Sequence, residues 1–321
     1  MRSTPSSPCP ERSPATRWVL MVVAMLLPLL APCSASAADR AIAGRQTLVY
    51  QGVERSYVVR LPRALHASAA PLPLVLVLHG GGGNAANAEA MTGFTNKAEQ
   101  AGFIVVYPEG TGRLSQRFLT WNAVHCCGYA MHNKVDDVGF IRALLDRLVA
   151  DLPVDTRRIY VTGLSNGGMM AHRLGIELSD RIAAIAPVIA TVFGDEKKPA
   201  HPVAALMVNG LLDTSVPTAG GPPGGQGAAA WDGTPTQPAL AQGSFWAAAN
   251  GCQSPPSMAE QHPITRWRYR CAPGREVEVV LVGDNGHAWP GGNAGRLRAD
   301  KPHTAWNATD VIWSFFETHA K

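Results

Sequence analysis

Charge is scarce in this chain and nearly balanced. Asp, Glu, Lys and Arg make up 16% of its 321 residues, and the formal net charge is +4. Residues 1–37 hold three arginines and one glutamate, so the remainder carries a charge near +2. So small a balance excludes nucleic acid or an anionic membrane surface as a partner. No apolar run after residue 37 reaches the length of a bilayer span, which excludes stable membrane association for that part. No internal repeat is present. Cysteine is sparse too, with six residues, of which Cys126, Cys127, Cys252 and Cys271 lie beyond residue 37. His125-Cys126-Cys127 has no second ligand pair at metal spacing elsewhere, so neither a metal nor another cofactor is expected.

The first 37 residues have a different character. Arg2, Arg12 and Arg17 precede the uncharged run from Trp18 to Ala31, and Ala35-Ser36-Ala37-Ala38 follows. Basic, apolar and small residues in that order predict a secretory signal peptide cleaved before Ala38, and hence a secreted or periplasmic protein. A lipid anchor on Cys33 is disfavoured, because Pro32 stands where that signal wants a small residue. Residues 38–321 then form one domain of a length that buries a large core. In an oxidising compartment Cys252 and Cys271 are the favoured pair, and closing the loop between them stabilises the fold by roughly 3 kcal/mol. Adjacent Cys126 and Cys127 form either a two-residue ring or free thiols.

Along the chain, strands alternate with helices. Strands at 46–50 and 56–61 make a hairpin turning near Gly52. Leu74-Val75-Leu76-Val77-Leu78 is continuously apolar, as a strand buried on both faces must be. A helix over 86–101 leads to a second such strand, 103–107. Asp136 and Asp137 start a helix running to about Leu152, and strands follow at 158–162, 182–188 and 203–208. The Gly/Pro-rich stretch 218–238 is a surface excursion over the site. A helix at 239–250, a loop closed by the cysteines, strands at 264–269 and 277–282, and a helix from Thr304 to about Thr318 complete the chain. This alternation implies parallel βαβ units in one α/β sheet.

Gly163-Leu164-Ser165-Asn166-Gly167 joins the strand Arg158-Ile159-Tyr160-Val161-Thr162 to the helical stretch that follows. A serine flanked by glycines at a strand-to-helix turn is a nucleophile elbow, a turn so tight that bulky neighbours are excluded. A serine hydroxyl is a weak nucleophile at neutral pH and needs a histidine base held by a carboxylate. Asp213 follows the strand 203–208 and His287 follows the strand 277–282, which gives the chain order serine, acid, histidine. Asp284 and Asp195 are the alternative acids. Two N–H donors must face the oxyanion, namely Asn166 directly after the serine and Gly81 in the run Gly80-Gly81-Gly82-Gly83. Trp121, Trp231, Trp246 and Trp289 are candidates for the substrate pocket. Trp289, two residues after His287, is the foremost, while Trp246 on its helix reads equally well as core.

His79-Gly80-Gly81-Gly82-Gly83-Asn84, Thr120-Trp121-Asn122 with Cys126-Cys127-Gly128, Val135-Asp136-Asp137-Val138-Gly139-Phe140, Gly163 to Met169 and Gly286-His287-Ala288-Trp289-Pro290-Gly291 occur in that order. Together they resemble the polyhydroxybutyrate depolymerase family of esterases, related to feruloyl and acetylxylan esterases, over residues 45–320. The resemblance implies a single-domain α/β-hydrolase, with a mostly parallel central sheet and helices on both faces. It also implies an exported serine esterase whose triad is Ser165, Asp213 and His287, with Gly81 at the oxyanion position. Two positions depart from family habit: Gly81 replaces a more usual cysteine, and Asn209 stands before Gly210 where a histidine is frequent. The expected partner is an ester, foremost polyhydroxybutyrate or a short hydroxyalkanoate oligomer, with feruloyl or acetylxylan esters as the alternative. An exported binding protein that keeps the fold without catalysis is the reading of a different class.

Overall fold

A computed structural model describes residues 42–66, 70–225, 228–295 and 300–321. The expected signal segment 1–37 lies outside them. One ten-stranded sheet runs through the described chain. Its strands are β1 (Gly44–Tyr50), β2 (Val53–Arg60), β3 (Leu72–Leu78), β4 (Ile104–Pro108), β5 (Val154–Leu164), β6 (Ala184–Val188), β7 (Ala204–Gly210), β8 (Gln253–Gln261), β9 (Ile264–Arg270) and β10 (Val277–Val282). Their order is β1-β2-β4-β3-β5-β6-β7-β10-β9-β8. The run from β4 to β10 is parallel, and the flanking pairs are antiparallel. A mostly parallel α/β sheet is therefore the observed fold class.

The parallel strands are buried on both faces because helices cover both. In β3, Leu74, Leu76 and Leu78 join one core while Val75 and Val77 join the other, the alternation a pleated strand requires. Against the first core pack the helices Asp137–Asp151, Asn166–Glu177 and Ala239–Asn250; against the second pack Ala85–Thr92, Phe94–Ala101 and Ala308–Phe316. Loops leaving the carboxyl ends of the parallel strands share one edge of the sheet, the edge at which such folds bind ligands.

Two expectations need correction. The helix expected over 86–101 is two helices, broken at Gly93, whose φ of 70° closes the first and precedes the second. The segment after Cys252, expected as a loop, is strand β8, hairpinned to β9. It carries Pro255 and Pro256 and is exposed along almost its whole length. An edge strand needs ladder bonds on one side only, so it tolerates proline and shows no apolar alternation. Cys252 and Cys271 are bonded at the base of this hairpin, and the sulfurs of Cys126 and Cys127 are also joined.

The helix Asp137–Asp151 starts as its acidic residues suggest, with Asp136 accepting from the Gly139 N–H at 2.9 Å. Asp137 does something else. It is wholly buried and paired with Arg55 at 2.7 Å, the guanidinium lying 4.0 Å above the Phe140 ring. Its second oxygen accepts the Asn122 N–H at 2.8 Å, tying the pair to the loop after β4. Burial pushes the Asp137 carboxyl upward, and Arg55 opposes that shift. Removing one member strands a buried charge, so Arg55→Met is expected to cost about 3–5 kcal/mol in urea unfolding. Adding Asp137→Asn, which removes the charge but keeps an acceptor for Asn122, should recover part of that loss. A single variant within about 1 kcal/mol of the parent would refute the account.

Candidate active site

Strand β5 ends at Leu164, and Ser165 then turns the chain into the helix Asn166–Glu177 with φ 54° and ψ −123°. A non-glycine residue at positive φ costs of order 1–3 kcal/mol, and such strain gathers at functional sites. The turn is closed by crowding. A Cβ on Gly163 would sit 2.7 Å from the Gly167 carbonyl carbon, and one on Gly167 would sit 2.5 Å from the His79 carbonyl oxygen. Both positions therefore require glycine.

The serine hydroxyl lies 3.0 Å from His287 Nε2, and His287 Nδ1 lies 2.9 Å from Asp213 Oδ2. Asp213 is nearly fully buried, and its other oxygen accepts the Ser215 and Val216 N–H groups at 2.7 and 2.9 Å. A carboxylate fixed this way accepts the Nδ1 proton, leaving the Nε2 lone pair for the serine O–H. The His287 N–H in turn donates to Asp300 Oδ2 at 2.6 Å. The alternative acids are engaged elsewhere: Asp284 pairs with His303 at 2.7 Å and Asp195 with His125 at 2.9 Å.

The Gly80 carbonyl accepts from the Gly83 N–H at 2.9 Å and lies 2.9 Å from His79 Nδ1. In a trans peptide the C=O and the following N–H point oppositely, so fixing the Gly80 carbonyl directs the Gly81 N–H away from His79. His79 is wholly buried, and desolvation lowers its pKa to about 4. It is therefore neutral at pH 7, donating from Nδ1 to Gly80 while Nε2 accepts the Gly110 N–H at 3.0 Å.

Asn166 opens its helix, where a backbone N–H has no intrahelical partner. Its side chain is clamped by Trp121, whose N–H donates to Oδ1 at 2.7 Å and whose carbonyl accepts from Nδ2 at 2.9 Å. The Trp121 indole N–H donates to the His79 carbonyl at 3.0 Å. Trp121, expected beside the substrate, is instead wholly buried and ties Asn166 to the His79 carbonyl, at the start of the glycine run. Neither His79 nor this tie was assigned a role from the sequence. A histidine directly after a doubly buried strand was the available signal, since the strand carries it into the interior.

A cleft of about 200 Å³ opens at Ser165 and His287, walled by Gly81, Leu164, Met91 and Trp289. Trp289 reaches the cleft from the core, its indole N–H held by Thr309 Oγ1 at 3.0 Å. Trp246 is core, donating to His172 Nδ1 at 2.9 Å. Trp231 packs edge-on to Phe193 in a separate cluster, where His125 bridges Asp195 and Asp232 and so fastens the 218–238 excursion to the loop after β4.

The family model described as Esterase PHB depolymerase matches residues 55–219, about half of the chain. The chain belongs to this esterase family. It is a carboxylic ester hydrolase, and its relatives carry related names. A putative esterase, NocK, of Nocardia uniformis subsp. tsuyamanensis is 31% identical over 271 residues, covering 79% of this chain and 76% of that protein. Feruloyl esterase B of Piromyces equi is 30% identical over 249 residues, covering 75% of this chain and 44% of that protein, so the chain spans under half its length. Among solved structures, an acetyl xylan esterase from Aspergillus awamori superposes with a TM-score of 0.58 at 14% identity, over 86% of this chain and 100% of that one. At that identity the likeness concerns the fold.

Proposed function

We propose that this esterase is an exported serine hydrolase that cleaves short-acyl esters through an acyl-enzyme on Ser165. The observation that carries the reading is the continuous chain of contacts from Ser165 through His287 to Asp213 at 3.0 and 2.9 Å. His287 Nε2 takes the serine proton as Oγ attacks the ester carbonyl, and Asp213 holds the resulting imidazolium. The carbonyl oxygen gains charge, stabilised by the N–H groups of Gly81 and Asn166. His287 then returns its proton to the leaving alkoxide, and water repeats the sequence to free the acid. Export rests on the order of basic, apolar and small residues over 1–37, with residues 38–321 as the mature domain. The Cys252–Cys271 bond suits an oxidising compartment.

A cleft of about 200 Å³ fits an acetyl to hydroxybutyryl unit, which keeps hydroxyalkanoate oligomers as a substrate. Esters borne by a polysaccharide are a second reading, favoured by relatives named as feruloyl esterases and by a polar groove beside the cleft. The nucleophile is tested by treating the protein with a fluorophosphonate, mapping the adduct by mass spectrometry and following p-nitrophenyl butyrate turnover. One adduct on the Ser165 peptide with parallel loss of turnover is expected. Turnover that survives stoichiometric labelling, or that persists in Ser165→Ala, overturns the proposal.

A further inference from the structure

Leu164, Trp289 and Met91 are the large apolar side chains that wall the catalytic cleft. The first two are fixed by the core. Leu164 ends β5 in register with Val188 of β6; Trp289 is wholly buried, its indole N–H held by Thr309 Oγ1 at 3.0 Å and its ring packed edge-on to Phe94 at 6.1 Å. Met91 is placed differently. A second concavity of about 270 Å³ lies beside the cleft, lined by Thr92, Asn96, Gln100 and Asp310, and Met91 and Asn293 belong to the walls of both. These two residues are the partition between the cavities.

The main chain that carries Met91 is tethered. Its carbonyl accepts the Asn293 N–H at 3.0 Å, the Asn293 carboxamide donates to the Ala90 carbonyl at 2.7 Å, and the Thr92 carbonyl accepts from Thr309 Oγ1 at 2.5 Å. The helix Ala85–Thr92 then closes on Gly93, whose N–H donates to the Glu89 carbonyl. With the backbone held, the length of the side chain at 91 sets where the wall stands. Met91 Sδ lies 3.5 Å from the place a Cβ on Gly295 would take, so the thioether reaches Gly295, another member of the cleft wall. Asn293 is tied back by its own carboxamide, whereas the Met91 side chain is an apolar plug that a substitution can withdraw without breaking a hydrogen bond.

We propose that Met91 is the residue that limits the length of the substrate chain lying in the cleft at Ser165. An acetyl to hydroxybutyryl unit fills the cleft, and a longer chain meets the thioether, which the tethered backbone cannot carry aside. A packed wall resists added methylenes as strongly as it rewards those that fit. Shortening the side chain at 91 joins the cleft to the concavity behind it and lengthens the chain accepted. This inference rests on the reading of Ser165 as the nucleophile.

Two series of esters test it, each varying one arm. The p-nitrophenyl esters of acetate, butyrate, hexanoate and octanoate vary the acyl chain; ethyl, butyl, hexyl and octyl acetate vary the alcohol. In one series the wild type should gain about fourfold in kcat/KM per methylene up to the length the cleft holds, then lose roughly tenfold at the next step. In Met91→Ala the fall should move along that same series by about three chain atoms, the length the truncation removes, while the other series keeps its wild-type ratios. Met91→Leu, which nearly conserves volume, should hold the wild-type limit. Met91→Val, a smaller cut, should move the limit less, and it carries the test if Met91→Ala does not fold. A side chain that forms a wall relaxes only the arm touching it, whereas a variant that merely loosens the fold relaxes both or neither. No length limit in either series, a limit that the folded truncation variants leave in place, or equal relaxation of both series overturns the assignment. A wild type without turnover of p-nitrophenyl acetate, or a Ser165→Ala variant that retains it, is the separate signature of a failed nucleophile reading.

Discussion

Asp213→Asn is expected to lower kcat on a short soluble ester by about 10,000-fold while KM moves little. The reason lies in what Asp213 Oδ1 already holds. It accepts two backbone N–H groups, from Ser215 and Val216, so the oxygen of the new carboxamide must stay there; the flipped amide would set an NH₂ against two donors. The NH₂ then faces His287 Nδ1 and donates to it. That forces the ring proton onto Nε2, the atom that must accept the proton of Ser165. The fold keeps its contacts and the base has the wrong tautomer. Asp284→Asn and Asp195→Asn serve as controls, because those carboxylates pair with His303 and His125. Steady-state kinetics on p-nitrophenyl butyrate decides the matter: a loss under tenfold removes Asp213 from the orienting role, and a large loss on Asp284→Asn transfers it.

The meeting of Asp213 and His287 was legible because each follows a largely apolar strand, Glu278 being the polar break in β10, and loops at the carboxyl ends of a parallel sheet share one edge. β3, β4, β6 and β7 were legible for the same reason, since burial on both faces leaves them apolar nearly throughout, Asn209 near the end of β7 being the polar exception. Strand β8 was illegible because it is exposed and carries prolines, so neither periodicity nor propensity marks it. The break at Gly93 was missed because an isolated glycine within a helical pattern is tolerated as often as it ends a helix. Trp121 shows a different limit. An aromatic residue in a polar loop looks like a ligand platform, yet its indole and backbone serve His79 and Asn166 in the interior. Which way a loop side chain points depends on contacts with residues 42 and 45 positions away, and no local pattern encodes them.

Those interior contacts set the acid limit of the protein. His79 and His172 are both wholly buried, and desolvation lowers the pKa of each to about 4. Each neutral ring donates from one nitrogen and accepts at the other. His79 Nε2 takes the Gly110 N–H, and His172 Nδ1 takes the Trp246 indole N–H while Nε2 donates to Gln242. Protonation would turn each acceptor into a donor facing a donor. In the unfolded chain both histidines titrate near pH 6.5, so between about pH 6.5 and 4 the unfolded state binds more protons than the native one. Stability is therefore complete above that window, falls as the pH drops through it and levels off below it. A difference of this size corresponds to as much as about 3 kcal/mol for each ring, and about 6 kcal/mol for the two. Urea unfolding at pH 7, 5.5 and 4 should show that decline. His172→Gln keeps an acceptor for Trp246 but cannot titrate, so it should cost stability at pH 7 and flatten the slope by about one proton near pH 5. A slope unchanged in His172→Gln would remove that ring from the account. His79→Gln carries the further consequence that the Gly80 carbonyl loses its imidazole donor. Its kcat should therefore fall at pH 7, where the fold is intact, through misdirection of the Gly81 N–H.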